Sequence, residues 1–512
     1  NSTFFTITNL SGNTSEDGTA STFNVALQTA PHDNVTVSVS SSSSSEGTVS
    51  PSSLTFTPNN WNTPKTVTVT GVDDNSSDGH KAYQITLSEE IIPWPGTQQL
   101  GTNSQDEGQG VTVDSSGNIY VTGYTIGALD GNTHAGNWDM FLVKYNSAGT
   151  KQWTKQLGSS AKEEGRGVTV DSEGNIYVTG TTRGDLGGNT NAGVTDIFLV
   201  KYNPIGNVAW TRQLGTSEFE DGNSVAVDSV GNIYVTGHSS GSLDGNTHAG
   251  SYDMILVKYN SAGTKQWTKQ FGTSSLDLGH GVTVDSSDNI YVTGYTGGGL
   301  DGNTFSGGFS DIFLVKYNSS GTKQWTKQWG TGSDDFGLGV TSDSAGNIYV
   351  TGNTKGALDG NTYMGVDLDI SVTKYNSSGT KQWTMQPGTS GRDGGTAVAT
   401  DSSNNIYLTG STFGSLDGNT HVGHNDIFLI KYNSSGTKQW TKQFGTSESD
   451  IGKGVTSDSA DNIYLTGYTL GALDGNTSQG ILDIFMAKYN SSGINSADVE
   501  PAKSSVTLHN LD

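Results

Sequence analysis

Short runs in which apolar and polar residues alternate recur along most of the chain. The segment Gly110-Val-Thr-Val-Asp114 alternates as a half-buried strand does, and a second run follows from Asn118 to Gly123. A nearly continuous apolar run from Asp139 to Tyr145 indicates a strand that is packed on both faces. A turn at 146–149 then leads into a further run around Trp153. The pattern predicts a unit of four strands.

This unit is repeated. The string Asn-Ile-Tyr-(Val/Leu)-Thr-Gly occurs seven times at intervals of 57 or 58 residues. A period of this length with strand-like content is typical of a β-propeller that has one four-stranded sheet per repeat. The turn position of Gly117 holds only Gly, Asp or Asn in the other repeats, and these residues best tolerate a left-handed backbone. The seven tyrosines are Tyr120, Tyr177, Tyr234, Tyr291, Tyr349, Tyr407 and Tyr464.

The seventh repeat lacks its fourth strand. The repeat pattern ends at Gly493, whereas the segment from Trp94 to Gly101, before the first repeat, resembles the fourth strand around Trp153. We therefore predict that residues 94–100 complete the seventh sheet beside residues 483–490. Such a closure leaves no open sheet edge inside the ring. The sequence thus predicts a seven-bladed β-propeller over residues 93–493.

Residues 1–92 follow a different pattern. Six short alternating runs in about 90 residues, separated by Ser, Thr, Asn, Asp and Gly, indicate a β-sandwich. A seventh strand is expected after Leu87 but is absent there, and a suitable run occurs only at 505–512. The six predicted strands cover 4–8, 21–27, 35–39, 53–56, 65–70 and 83–87.

Two resemblances to known families follow from these motifs. The repeated Asp-x-x-Gly-Asn-(Ile/Val)-Tyr-Val-Thr-Gly, followed by Asp-x-Phe-(Leu/Val)-x-Lys-Tyr, resembles the bacterial seven-bladed propeller repeats of the SBBP type. The segments Thr14 to Gly18, Glu46 to Pro51 and Val69 to Asp74 resemble the immunoglobulin-like and Calx-β-like modules of bacterial surface proteins. The resemblances imply an all-β protein: a seven-bladed β-propeller plus an immunoglobulin-like sandwich whose last strand is at the C-terminus. They also imply a secreted, extracellular or cell-surface setting in bacteria and no shared catalytic residues.

The last strand can complete a sandwich in two ways. Residues 494–512 form a linker and a strand with Val506, Leu508 and Leu511 on its apolar positions. The tail from Ser491 to Ser504 can span about 45 Å at roughly 3.3 Å per residue, so the strand can fold back onto its own sandwich. Alternatively, the strand completes the sandwich of the next molecule, and such a head-to-tail contact produces a filament.

Composition narrows the classes of partner. The chain has no cysteine and a formal net charge of −24, which argues against disulfides, nucleic acids and anionic membranes. The chain contains no run of 18 apolar residues, so the sequence predicts no membrane span. Because the chain starts at Asn1, we expect that any signal peptide has been removed.

Calcium is the candidate metal. By resemblance to Calx-β modules, acidic residues at one pole of the sandwich would hold Ca²⁺, an ion that prefers carboxylate oxygens. The alternative is a set of solvated loop acids and Asx turns. The candidate ligands are Glu16, Asp73, Asp74, Asp78 and Asp512.

Two further features of the repeats have structural and functional interpretations. Six of the seven repeats contain Leu-Asp-Gly-Asn-Thr, such as Leu129 to Thr133, and a later Asp such as Asp139, which could bind a cation but fit a hydrogen-bonded turn better. Trp138 and Tyr252 replace smaller residues in their loops and could stack on sugars.

Asn-x-Ser/Thr sequons mark candidate glycosylation sites for a source that has the pathway. The sites that we single out are Asn34, Asn75, Asn318, Asn376, Asn433 and Asn490.

The sequence shows no group of residues with a catalytic pattern. Propeller hydrolases use a few different residues around the central channel. Nearly identical repeats should instead place the same residue type at each channel position. We therefore expect a non-catalytic extracellular structural protein, a filament subunit assembled with copies of itself by donation of the C-terminal strand. The alternative is a monomeric adhesin or glycan-binding propeller, partnered with surface glycans, whose C-terminal strand folds back.

Overall fold

The computed structural model describes residues 5–28, 35–57, 60–73, 79–89, 96–495 and 503–511. Its contacts divide the chain into two compact units. The first unit consists of residues 1–93 and 498–512, and the second consists of residues 94–497. The first and last parts of the chain therefore belong to one unit, and the repeats form the other.

The first unit contains two β-sheets that share one core. The four-stranded sheet has the order β1-β3-β7-β5, and the five-stranded sheet has the order β2-β37-β8-β4-β6. The core lies between them, because buried side chains of both sheets, such as Phe23 and Ile85, belong to one cluster. The strands are β1 (Phe5–Thr8), β2 (Thr14–Ser15), β3 (Ala20–Leu27), β4 (Val35–Ser41), β5 (Gly47–Ser50), β6 (Ser53–Phe56), β7 (Lys65–Gly71), β8 (Lys81–Glu89) and β37 (Lys503–Leu511).

The C-terminal strand completes a sheet of its own chain. β37 pairs antiparallel with β8 from Lys503 to Asn510 and parallel with β2. Leu508 is completely buried in the core of the unit, and Val506 packs against that core. All six strands predicted for this region are present, together with two short strands, β2 and β5, that were not predicted.

The second unit contains seven four-stranded antiparallel sheets, which we number 1 to 7 along the chain. Sheets 1 to 4 comprise β10 (Asp106–Val113), β11 (Ile119–Thr125), β12 (Asp139–Tyr145), β13 (Lys151–Leu157); β14 (Glu163–Val170), β15 (Ile176–Thr182), β16 (Asp196–Tyr202), β17 (Val208–Leu214); β18 (Glu220–Val227), β19 (Ile233–Ser239), β20 (Asp253–Tyr259), β21 (Lys265–Phe271); and β22 (Asp277–Val284), β23 (Ile290–Thr296), β24 (Asp311–Tyr317), β25 (Lys323–Trp329).

Sheets 5 to 7 have the same arrangement. They comprise β26 (Asp335–Ser342), β27 (Ile348–Thr354), β28 (Asp369–Tyr375), β29 (Lys381–Met385); β30 (Asp393–Thr400), β31 (Ile406–Thr412), β32 (Asp426–Tyr432), β33 (Lys438–Phe444); and β34 (Asp450–Ser457), β35 (Ile463–Thr469), β36 (Asp483–Tyr489), β9 (Gln98–Leu100).

The seven sheets close on themselves in a propeller-like arrangement. The first strand of each sheet contacts the first strands of the sheets before and after it, and β34 of sheet 7 contacts β10 of sheet 1. The predicted closure is present, because β9 pairs antiparallel with β36 and supplies the fourth strand of sheet 7. The structure places this strand at Gln98–Leu100, and Trp94 lies outside the described residues.

Neighbouring sheets are held together by buried side chains of the repeated strings. Tyr120 of sheet 1 is completely buried in a cluster with Val178 and Phe198 of sheet 2, and its hydroxyl donates a hydrogen bond to Asp114 over 2.9 Å. The same bond recurs at the other six tyrosines. The ring of Tyr120 also packs against the indole of Trp153 at a centroid distance of 6.2 Å. The regular tyrosines and tryptophans therefore serve packing.

The helices of the described ranges are six three-residue 3₁₀ turns, and none of them is long and apolar enough to cross a membrane. Each turn lies in the loop between the second and third strands of its sheet, at Leu129–Gly131, Leu243–Gly245, Leu300–Gly302, Leu358–Gly360, Leu416–Gly418 and Leu473–Gly475.

Candidate functional site

A β-bulge occurs at the same position in the first strand of all seven sheets. In sheet 1, Gly108 and Gly110 pair with the adjacent residues Gly123 and Thr122, so that Gln109 is the extra residue. A bulge of this kind redirects a side chain, and bulges are common beside functional sites. The seven bulge residues line one central cavity, and we call them the channel ring: Gln109, Arg166, Asn223, His280, Leu338, Thr396 and Lys453.

The channel ring consists of seven different residue types. The expectation that nearly identical repeats place like residues around the channel is therefore wrong. The residues on both sides of the bulge are small or apolar in every repeat, because the backbones approach closely there, whereas the bulge residue projects into the cavity. The channel ring could have been found in the sequence by aligning the seven repeats, because the bulge position varies while the positions on both sides of it are nearly constant.

The cavity inside the channel ring has a volume of about 220 Å³. All seven ring residues are half-buried, so their side chains are within reach of a ligand in the channel. Drug-sized sites typically have roughly 300–1,000 Å³. A cavity of this size suits one small ring or the end of a larger molecule.

One side of the channel, formed by sheets 1 to 3, is strongly charged. The guanidinium of Arg166 forms ion pairs with Glu164 over 2.9 Å and with Asp221 over 3.2 Å, and it donates to Asn223 over 2.7 Å. Burial by itself would raise the pKa of Asp221, but Arg166 and His238 lower this pKa overall. The single positive charge of Arg166 is therefore shared between two carboxylates.

The histidines of the channel are neutral near pH 7. Burial lowers the pKa of His238 to about 4 in spite of Asp221, whose carboxylate lies 3.5 Å away. Burial also lowers the pKa of His280 to about 3, and His238 and Arg166 contribute to this shift. The Nε2 atom of His280 is buried and has no hydrogen-bond partner among the described residues. His280 can therefore donate a hydrogen bond to a ligand or accept one from it, depending on its tautomer.

Aromatic and apolar side chains lie around the part of the ring that sheets 4 and 5 form. The ring of Tyr295 stacks on His280 at a centroid distance of 5.1 Å and meets Phe336 edge-on at 5.0 Å. Leu338 follows in sheet 5 and Thr396 in sheet 6. The residues that differ between repeats therefore place charges around sheets 1 to 3, and aromatic and apolar side chains around sheets 4 and 5.

Lys453 of sheet 7 lies between these two parts of the ring. Its ammonium group stands over the ring of Tyr468, 5.6 Å from the centroid. Burial lowers the pKa of Lys453, although Glu107 partly opposes the shift. Glu107 itself accepts hydrogen bonds from Gln109, over 2.9 Å, and from Tyr124. Lys453 has no ion pair within the described residues, in contrast to Arg166.

A second constant feature is a pair of buried carboxyl groups at each boundary between sheets. At the boundary of sheets 4 and 5, Asp335 accepts hydrogen bonds from Thr354 and Thr331, and Asp311 accepts one from Gln328 over 2.9 Å. Both acids are almost completely buried. Burial raises the pKa of Asp335 to about 6, and Asp311 adds to this effect. We call these pairs the acid belt: Asp139 with Glu163, Asp196 with Glu220, Asp253 with Asp277, Asp311 with Asp335, Asp369 with Asp393, Asp426 with Asp450, and Asp483 with Asp106.

The repeated Leu-Asp-Gly-Asn-Thr loop is a hydrogen-bonded turn. Asp130 adopts a left-handed backbone with a φ of 52°, and its carboxylate contacts the ammonium of Lys151 at 2.5 Å and the hydroxyl of Thr154. The side chain of Asn132 donates to the Leu129 carbonyl over 2.8 Å. In sheet 2 the equivalent of Asp130 is Gly187, also with positive φ, and the equivalent of Lys151 is Val208. This geometry favours the turn interpretation over a cation site.

The two predicted sugar-stacking residues are half-buried. Trp138 stacks on Tyr124 at a centroid distance of 4.4 Å, and the Lys162 ammonium lies 3.8 Å from its ring centre. These two neighbours must cover opposite faces of the indole, because there is no space for both on one face. Tyr252 meets the ring of His238 edge-on at 5.1 Å. The faces of Trp138 are therefore already occupied, whereas the prediction had assumed an exposed ring.

The predicted calcium ligands belong to the first unit. Asp74, Asp78 and Asp512 lie outside the described residues, whereas Glu16 and Asp73 are described. The backbone N–H of Glu16 donates to the Leu511 carbonyl over 3.0 Å. The chain next to Asp73 is linked to the same strand, because Asn510 donates to the Val72 carbonyl over 3.1 Å.

The neighbours of the predicted ligands therefore meet at one end of the unit. Within the ranges that the structure describes, no three His, Asp or Glu side chains are grouped to hold a metal.

The candidate glycosylation sites of the repeats share one position. They lie in the turn between the third and fourth strands, where the side-chain oxygen of Asn318 accepts the Thr322 N–H over 2.8 Å. Equivalent bonds form at Asn376, Asn433 and Asn490. Asn34 and Asn75 lie outside the described residues.

Comparison with known families agrees with this architecture. Seven segments match the family model described as SBBP, Beta-propeller repeat: 96–129, 152–192, 209–244, 266–301, 324–358, 382–417 and 439–473. Each match begins in or beside the fourth strand of one sheet and ends in the loop after the second strand of the next sheet. The chain therefore carries SBBP beta-propeller repeats over residues 96–473.

Two relatives match more than half of the chain. One is a protein named uncharacterized WD repeat-containing protein L264, from Acanthamoeba polyphaga mimivirus, which is 24% identical over 62% of this chain and 31% of its own length. The other is the regulatory protein FlaEY of Caulobacter vibrioides, which is 25% identical over 73% of this chain and 44% of its own length. The chain thus spans less than half the length of either relative.

Two solved structures are similar at a lower level. The polysaccharide lyase Uly1 has a TM-score of 0.43 and 11% identity, covering 75% of this chain and 90% of the lyase. The PQQ-bound aldose sugar dehydrogenase of Streptomyces coelicolor has a TM-score of 0.34 and 10% identity, covering 77% and 98% of the two chains.

Proposed function

We propose that this protein is a non-catalytic, extracellular glycan-binding protein of bacteria, whose binding site is the channel ring. The proposal rests on the bulge position, which holds a different residue type in each of the seven otherwise similar repeats. A purely structural ring has no need for this diversity. A ligand without sevenfold symmetry requires it, because specificity depends on a few polar groups at defined positions.

The composition of the channel favours a saccharide. A sugar ring presents hydroxyl groups at its edge and C–H groups on its faces, so it suits a site with both polar and aromatic walls. Arg166, Asn223 and His280 line the cavity with polar groups. The aromatic rings of Tyr295 and Phe336 pack next to one another beside His280.

The arrangement of the acids favours binding over catalysis. Glu164 and Asp221 both form ion pairs with Arg166, and Arg166 lowers the pKa of Asp221. Burial raises the pKa of Glu107, but its carboxyl group is hydrogen-bonded by Gln109 and Tyr124. General acid catalysis would need a carboxyl group that has a raised pKa and is free to transfer a proton to the substrate.

The proposed architecture is a seven-bladed β-propeller and an immunoglobulin-like sandwich of the Calx-β-like kind. The two sheets around one core in the first unit support the second assignment. The resemblance of this region to modules of bacterial surface proteins supports an extracellular location.

A channel-plugging variant tests the binding proposal. Leu338→Trp fills the cavity without removing a polar group, and we expect it to abolish the glycan binding that the unmodified protein shows on a glycan array. The matched control is Val230→Trp, because Val230 is 74% exposed in a turn at the other end of its strands. Circular dichroism would verify that both variants are folded. Absence of glycan binding in the unmodified protein, or binding that survives Leu338→Trp, would refute the proposal.

A second proposal is filament assembly through exchange of the C-terminal strand. It is supported by the extent to which the five-stranded sheet depends on β37, which pairs with both of its neighbours and buries Leu508. A strand from another copy of the chain would form the same contacts, so exchange needs no new interface. Binding of glycans and assembly with copies of itself are compatible functions.

A disulfide-trapping experiment tests this assembly. The backbone N–H and carbonyl of Gln84 both bond to Ser42, so they point away from β37. Gln84 and Thr507 therefore form a non-hydrogen-bonded pair, in which Cα atoms are about 4.5 Å apart, suitable for a disulfide. In the Gln84→Cys/Thr507→Cys variant, strand donation would produce covalent oligomers on a non-reducing gel. Disulfide-bonded monomers alone would contradict the filament proposal.

Calcium binding at the end of the first unit remains our prediction for the cofactor. Thermal unfolding should shift upward in millimolar Ca²⁺ and return to its original temperature with EGTA. A Glu16→Gln variant should lose the shift, whereas Glu448→Gln, an exposed change in the repeats, should keep it. An unchanged unfolding temperature in Ca²⁺ would exclude the site.

A further inference from the structure

We infer that the saccharide bound in the channel carries a carboxylate, as a uronic acid does, and that this carboxylate contacts Lys453. The inference rests on the proposed glycan-binding function and adds the chemical class of the ligand. It is based on the difference between the two strong cations of the channel ring, Arg166 and Lys453.

Arg166 has no charge left for a ligand. Its guanidinium is shared between Glu164 and Asp221 and also donates to Asn223. Lys453 has no such partners within the described residues, although its ammonium lies in the same half-buried ring. The closest acid that acts on it, Glu107, is engaged by Gln109 and Tyr124. A partly desolvated ammonium without a counter-ion costs free energy, and a bound anion would remove that cost.

The neighbours of Lys453 leave room for one anion. Sheets 5 and 6 contribute Leu338 and Thr396 to the ring, and Phe336 and Gly394 two positions earlier, none of which is charged. The acids Glu107, Glu164 and Asp221 all belong to sheets 1 to 3. A carboxylate that approaches Lys453 from the side of sheets 5 and 6 therefore meets no charged ring residue there, and Glu107, on the side of sheet 1, is the acid that acts on the same ammonium.

His280 fits the other end of the same ligand. Sheet 4 lies three sheets away from sheet 7 in one direction around the ring and four sheets away in the other, so His280 and Lys453 occupy nearly opposite walls of the cavity. The unpartnered Nε2 of a neutral imidazole can donate to a hydroxyl or accept from it. The cavity of about 220 Å³ between the two walls admits one sugar ring with a carboxylate at one end and hydroxyls at the other.

Isothermal titration calorimetry with three small glycosides tests the inference: methyl glucuronide, methyl glucoside and methyl glucoside 6-sulfate. We expect the unmodified protein to bind the glucuronide at least tenfold more tightly than the glucoside. In Lys453→Met this preference should disappear while the weak binding of the glucoside remains. Lys453→Arg keeps the positive charge and should retain the preference.

The control variant is Lys442→Met, which makes the same change on the fourth strand of sheet 6 and should leave all affinities unchanged. Equal binding of glucuronide and glucoside, or a preference that survives Lys453→Met, would overturn the inference but leave the glycan-binding function intact. Preferential binding of the sulfate would also overturn it. Absence of binding to all three glycosides and to a glycan array would instead refute the proposed function itself.

Discussion

The constant and the variable positions of the repeats are neighbours in the chain but have opposite roles. Gly123 and its six equivalents are glycine in every repeat, whereas the bulge residue on the paired strand differs in all seven. A Cβ atom at Gly123 would lie 1.7 Å from the Glu107 carbonyl oxygen, but Gln109 projects into an open cavity. Positions that contact another backbone are therefore fixed by sterics, and positions that contact only the channel are free to differ.

We expect the largest loss of stability when a methyl group is added at one of the constant glycines. Gly123→Ala would force apart two paired strands, because the clash is with backbone that cannot rotate away. We expect a loss of about 3 kcal/mol or more in the free energy of unfolding, measured by denaturant titration. The control is Gly332→Ala, where the added Cβ meets nothing within 4 Å. Similar losses in both variants would show that the close approach is not the cause.

The acid belt predicts a dependence of stability on pH. The pKa of Asp335 is raised in the folded state from 3.8 to about 6, so its protonated form favours folding. This contribution is complete below about pH 3.8 and is lost as the pH rises through 6. The shift corresponds to about 3 kcal/mol for this residue.

We expect the free energy of unfolding to decrease between pH 4 and pH 7, and the decrease to be smaller in Asp335→Asn. The matched control is Asp367→Asn, because the side chain of Asp367 is 41% exposed and belongs to the same region of the chain. A pH profile of Asp335→Asn that matches the unmodified protein would contradict the assignment.

A smaller loss is expected at the constant turn of sheet 3. Asp228 accepts hydrogen bonds from the backbone of Asn232 over 2.7 Å and from the hydroxyl of Tyr234 over 2.9 Å. Asp228→Ala leaves these buried donors unpaired, and we expect a loss of about 2 kcal/mol in unfolding experiments. Tyr234→Phe removes only the hydroxyl and should cost about 1 kcal/mol. The order of the two losses would be reversed if the hydroxyl, and not the turn, were the main contribution.

We expect the smallest change in stability when a residue of the channel ring is substituted. Leu338→Gln places a polar side chain in a polar cavity, and we expect the free energy of unfolding to change by no more than about 0.5 kcal/mol. The same change at Leu314, which is completely buried in the third strand of its sheet, should cost at least about 2 kcal/mol. Comparable losses in the two variants would show that Leu338 is part of the core and not of a binding site.

Much of the fold is predictable from the pattern of the chain. The period of 57 or 58 residues, the hairpin turns at Gly117 and the displaced strand near Leu100 all follow from local rules, and the structure contains all three. The short strand β2 was not predicted because its two residues cannot show alternation, and β5 was not predicted because Val49 is its only apolar residue apart from Gly47.

The candidate site was harder to predict than the fold. Motifs within one repeat do not reveal the channel ring, which becomes visible only when the same position is compared between the seven repeats. The direction of Gln109 and its equivalents depends on the bulge, and a bulge is a feature of pairing between two strands. The loop of Trp138 alone does not reveal that Tyr124 and Lys162 cover the two faces of its indole, because these contacts join different strands and loops.

The sequence by itself determined the number of sheets, the order of their strands and the presence of a separate β region, because alternation, turns and repetition are local properties of the chain. Only the tertiary structure decided which side chains share the channel, since Arg166 and Lys453 are distant in sequence and meet through the closure of seven sheets. It also decided their charges, because Arg166 is neutralised by Glu164 and Asp221 and Lys453 is not. The charge that a side chain can offer to a ligand depends on its burial and on its distance from other charged groups, and neither quantity can be read from the sequence of one repeat.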